Sequence, residues 1–110
     1  MNDKELYTVD HSATMLSAAE KIERNRSRAV VVLKDDRVTG ILSEGDIVRA
    51  LLRDIDVHAP IGSFVEHSFK YLNEVDMKEV IRLFKKYQFT LIPIVDDEFR
   101  LLVHRPRLNL

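Results

Sequence analysis

Ser43 and Asp46 stand three residues apart in Gly40-Ile41-Leu42-Ser43-Glu44-Gly45-Asp46 and are the side chains best placed to do chemistry. They stand where a strand hands over to a helix N-terminus, a place where unpaired backbone N–H groups and the helix dipole attract anions. The same S-x-x-D spacing is that of a helix capping box, which alone would account for both residues. The two roles are compatible. An anion at such a helix start gains about 0.3–1 kcal/mol from the dipole. The four histidines are scattered without metal-ligand spacing. His104-Arg105-Pro106-Arg107 reads as a solvated basic tail, or as cations able to reach a phosphate bound nearby. With no cysteine, Gly-rich phosphate loop, paired acid and base or nucleophile elbow, an enzyme is not expected.

The elements around the motif follow from periodicity. Ala29-Val30-Val31-Val32-Leu33 is a β-branched run of the kind buried in a sheet, Lys34-Asp35-Asp36-Arg37 is a turn, and Val38 to Leu42 is a second strand. Ile47, Val48, Leu51 and Leu52 then recur at helical spacing to about Arg53. Upstream, Leu6-Tyr7-Thr8-Val9 reads as a short strand. Thr14 caps a helix with Met15, Ala18, Ala19 and Ile22 inward, which the polar run Glu23 to Arg28 ends. Asp54 to Pro60 breaks the pattern and reads as a linker. Beyond it come a strand at Phe69-Lys70-Tyr71, a helix capped by Asp76 with Glu79 completing a capping box, a strand at Leu91 to Val95, a turn at Asp96-Asp97 and a strand from Phe99 to Val103.

Composition sets the outer bounds. The 110 residues are 45% hydrophobic and 32% charged with net charge −1, which fits one globular unit and gives no pull toward nucleic acid or anionic lipid. No apolar run approaches the roughly 20 residues of a membrane span, and Met1 to Glu5 does not open a signal peptide. A cytoplasmic protein is expected. An offset of 61 residues lays Asp96-Asp97 on Asp35-Asp36 and Leu91-Ile92 on Val30-Val31 without a gap. This predicts a mixed α/β (α+β) fold, two β-α-β-β-α repeats (residues 1–57 and 58–110) packed about a pseudo-two-fold axis, with ligand clefts between them.

The sequence resembles a cystathionine-β-synthase (CBS) domain pair, or Bateman module, over nearly its whole length. The likeness rests on Thr14-Met15-Leu16-Ser17-Ala18-Ala19, Ala29 to Asp36, the Gly40 to Ile47 segment matching G-h-h-[ST]-x-x-D-h, Pro60 to Val65, and Leu91-Ile92-Pro93-Ile94-Val95-Asp96-Asp97. The resemblance implies a regulatory, non-catalytic module that binds AMP, ADP, ATP or S-adenosylmethionine, requires no cofactor, forms a homodimer and controls a fused or partner enzyme or transporter. It implies that Asp46 holds the ribose hydroxyls and Ser43 contacts phosphate or ribose, with Tyr7, Thr8, Val9, Arg28, Ala29 and Val30 lining the nucleoside cleft. At the 61-residue offset His104 replaces Ser43, Arg107 replaces Asp46 and Leu101 replaces Gly40, so the second half lacks the ribose acceptor. Either the ends of the repeats are trimmed or the sequence is a piece of a longer chain, and the piece is the expectation. The alternative is a dimerisation module with degenerate, non-binding sites, its contact surface formed by Ile47, Leu51, Ile61 and Phe64.

Overall fold

The computed structural model describes residues 3–73, 76–87 and 91–106. A short helix α1 (Asp3–Tyr7) leads into β1 (Thr8–Asp10), and α2 (Met15–Asn25), β2 (Ala29–Lys34), β3 (Arg37–Ser43) and α3 (Glu44–Leu52) complete the first half. Leu6 and Tyr7 therefore end a helix, and only Thr8 and Val9 of the expected first strand are extended. Beyond β1, both the backbone N–H and the hydroxyl of Ser12 donate to the Asp10 carboxylate, which holds that carboxyl below its usual range. Thr14 caps α2, its hydroxyl accepting from Ser17 N at 3.1 Å. The helix outlasts its apolar stripe as far as Asn25, because the buried Asn25 amide donates to the carbonyls of Leu6 and Ala29 while its oxygen accepts from Ser27 N. That clamp and the left-handed Arg26 and Arg28 (φ 57° and 66°) turn the chain into β2.

β2 lies between β1, parallel, and β3, antiparallel. Its alternation sorts side chains to two cores. Val30 and Val32 pack with Met15, Ala18 and Ile22 of α2, and Ala29 and Val31 pack with Val38 and with Leu91 and Val95 of the second half. Each such aliphatic side chain, fully buried, contributes about 1.5–3 kcal/mol.

The segment read as a linker is packed. Ala59 O and Val57 O accept the first amides of α2, from Met15 and Leu16, at 3.0 and 2.9 Å, and Ile61 is fully buried in the first core within a 3-10 turn (Ile61–Ser63). Ile61 thus offers no contact surface, and Ile47 and Phe64 are half-buried against the same core. Of the four apolar residues expected outside, only Leu51 remains, joined by Val48, Leu52 and Leu16.

The second half holds α4 (Met77–Tyr87), β4 (Leu91–Val95) and an antiparallel β5 (Leu101–Pro106). Asp76 caps α4 through Lys78 N (3.0 Å) and Glu79 N (3.4 Å). The Glu79 carboxylate grips Arg82, which lowers its pKa, instead of completing the expected capping box. The strand expected at Phe69-Lys70-Tyr71 is reduced to one bridge, Leu72 to Ile94.

The ungapped offset fails in the last hairpin. β2 and β3 are joined by two residues, Asp35 and Asp36, both left-handed, whereas Asp96 accepts from Glu98 N and Arg100 N and spreads the second turn over residues 96–100. In consequence His104 pairs with Pro93 as Gly40 pairs with Val32, so His104 stands at the Gly40 position and not at that of Ser43. His104, Arg105 and Pro106 belong to a paired strand and not to a solvated tail; Arg107 lies outside the described residues. The two hairpin turns meet, with Val38 N donating to Phe99 O (2.7 Å) and Arg37 Nε to Glu98 O (3.1 Å), as a pseudo-two-fold arrangement requires.

Gly40 is needed for space. A Cβ there would stand 2.7 Å from Glu66 O and 3.0 Å from Val65 Cγ2, although its φ is not left-handed. Gly40→Ala should therefore destabilise the protein by about 1–3 kcal/mol in a urea titration, against the ordinary benefit of alanine over glycine in a strand. An unchanged midpoint would mean that the 65–66 segment yields freely.

Candidate functional site

A cavity of about 460 Å³ opens where the end of β3 and the start of α3 face the 66–70 segment and β4, within the usual size of small-ligand sites. The sheet register builds its first wall. Ser43 is both the last residue of β3, opposite Ala29, and the N-cap of α3, so strand passes into helix without a loop. Glu44 N donates to Arg28 O at 2.9 Å, which draws Arg28 to the same edge.

The capping box is complete. Asp46 N donates to Ser43 Oγ at 3.2 Å, and Ser43 N and Oγ donate to Asp46 Oδ2 at 2.8 and 3.0 Å. The other carboxylate oxygen, Oδ1, accepts from Arg49 Nη2 at 2.7 Å. Asp46 still lines the cavity, its side chain 22% exposed. Oδ2 is committed to the helix start and Oδ1 to an exposed cation, so any outside donor would meet Oδ1.

Four of the expected site residues, Arg28, Ala29, Ser43 and Asp46, line the cavity together. Tyr7, Thr8, Val9 and Val30 do not. Tyr7 packs against the second core, Thr8 Oγ1 donates to Lys4 O at 2.8 Å, and Val9 and Val30 are buried in the first core. Their places are taken by Ser68, Phe69 and Lys70. Those are the positions to which the 61-residue offset carries Tyr7, Thr8 and Val9, so the signal was in the sequence. In a two-fold pair the motif of one repeat faces the first strand of the other. His104 and Arg105 sit on β5, beside the β4 strand that contributes Leu91 to the cavity.

The lining divides by chemistry. Ala29, Ile41, Phe69 and Leu91 offer apolar surface, while Arg28 and Lys70 stand against Glu44, Asp46 and Glu66. Such a cavity suits a flat apolar ring carrying a polar, hydroxylated arm. Among the described residues no group of three His, Asp or Glu side chains could hold a metal ion, and no helix is long and apolar enough to cross a membrane.

The family model of the CBS domain matches residues 1–53. This segment is a CBS domain. The whole chain has the CBS fold: it superposes on the CBS domains of a transcriptional regulator from Streptococcus pneumoniae with TM-score 0.78 at 18% identity, covering 94% of this chain and 86% of the other. A CBS domain protein from Pyrobaculum aerophilum complexed with AMP gives TM-score 0.73 at 18% identity, over 96% and 87% of the two chains. An uncharacterized protein of Helicobacter pylori is 28% identical over 86 residues, 76% of this chain. The matched part of the chain spans only 26% of that relative's length.

The cap makes a prediction independent of any ligand. Ser43→Ala removes the hydroxyl that Asp46 N uses, and should cost about 1 kcal/mol of stability in a denaturant titration. No loss would show that the reciprocal Asp46 bond alone holds the helix start.

Proposed function

We propose that the chain is a regulatory module that binds an adenosine-containing ligand (AMP, ADP, ATP or S-adenosylmethionine) in the cavity beside Asp46. Its two repeats are residues 1–57 and 58–110, it works in the cytoplasm, and it reports occupancy to a fused or partner enzyme or transporter without catalysing a reaction. The observation that carries the reading is Asp46 in the wall of an open cleft that also has apolar lining, in a chain that shares its fold with a CBS protein complexed with AMP. Adenine fits between Ala29, Ile41, Phe69 and Leu91, the ribose hydroxyls reach Asp46 and Ser43, and Arg28 and Lys70 supply charge for a phosphate. His104 and Arg105 lie on β5, and with Arg107, two residues on in the sequence, they offer cations for a phosphate bound nearby.

Calorimetric titration with the four ligands tests this. Saturable binding of at least one is expected, and Asp46→Ala should weaken it about tenfold or more, from the loss of charged hydrogen bonds to the diol. No heat and no thermal shift with any of them at millimolar concentration would exclude the reading.

A second reading, a dimerisation module with silent sites, draws on the apolar outer face of α3, where Val48, Leu51 and the 81% exposed Leu52 lie together with Leu16 of α2 nearby in the fold. It expects a stable homodimer by sedimentation that Leu52→Lys converts to monomer, with Asp46→Ala indistinguishable from the parent. Dimerisation with measurable ligand binding would leave the first reading intact.

A further inference from the structure

Arg49 lies one turn beyond the capping box and folds back toward it. Its guanidinium holds Asp46 Oδ1 at 2.7 Å, while its side chain remains 61% exposed. The guanidinium lies close over Gly45, where a Cβ would stand 3.3 Å from Arg49 Nη1 and Nη2, and Gly45 itself lines the cavity. The glycine has no left-handed φ to explain it and sits where helix formation favours alanine. The oxygen that the cap leaves over is thus covered by a cation lying across a gap in the side-chain surface.

From this geometry we infer that Arg49 is an internal competitor for the Asp46 oxygen that the cap leaves over, a latch on the carboxylate that a sugar diol must displace. The inference rests on the ligand-binding reading above and adds its regulation. An exposed ion pair between neighbours on a helix is weak, so the latch lowers affinity modestly and releases readily. Because the competitor is charged and the diol is neutral, the latch also makes affinity depend on ionic strength in a way that the diol by itself would not.

Neutral adenosine is the probe, since it carries no phosphate that Arg49 could contact after release. Titrations compare the parent with Arg49→Gln, which removes the charge of the latch and keeps Asp46, Ser43 and Gly45. The variant should bind adenosine about two- to fivefold more tightly than the parent, the size of an exposed pair. That advantage should shrink in 1 M salt, where the parent's pair is screened. Arg49→Gln binding adenosine no more tightly than the parent, or an advantage that salt leaves unchanged, overturns the latch and leaves the site standing. No adenosine binding by either protein at millimolar concentration removes both the latch and the site beneath it.

Discussion

A strand buried on both faces and paired on both edges cannot slide, and β2 is such a strand. Ala29 and Val31 are committed to one core, Val30 and Val32 to the other. A slip of one residue would exchange the two sets and leave neither core filled. The fixed register sets Ala29 opposite Ser43, and that pairing decides where β3 stops and α3 starts. The carboxylate at the mouth of the cavity is therefore placed by aliphatic packing many residues away. Polar chemistry here is held in position by apolar constraint.

Asp46 divides its two oxygens between jobs of unequal strength. Oδ2 closes a reciprocal cap at a half-buried helix start, where losing the partner costs about 1 kcal/mol. Oδ1 meets a flexible, exposed guanidinium whose hold is worth less. The helix start and the cation do not draw on the same oxygen. A single acidic residue can thus be structural and available at once.

The motif was legible because Ser43 and Asp46 are close in sequence and their geometry is local. So were Thr14, Asp76 and the double-sided β2, each specified by neighbouring residues. What lay between the copies was harder to read. Asp96-Asp97 matches Asp35-Asp36 in letters, but the Asp96 side chain captures two amides and widens the loop, and the register of β5 shifts with it. His104 consequently faces Pro93 and does not stand in for Ser43. Leu6 and Tyr7 have strand-like composition but close a helix, because Asn25, 19 residues on from Leu6, takes the Leu6 carbonyl. The exchange of Ser68, Phe69 and Lys70 for Tyr7, Thr8 and Val9 follows from two-fold geometry, which the 61-residue offset carries although the residues nearest the motif in sequence do not.

The narrow passage at Gly40 has one further consequence. The chain at Val65 and Glu66 runs past that glycine and continues as the 66–70 wall of the cavity. Because the backbone at Glu66 leaves no room for even a methyl group at Gly40, this wall cannot draw closer to β3, and the width of the chamber on that side is set by contact between main chains.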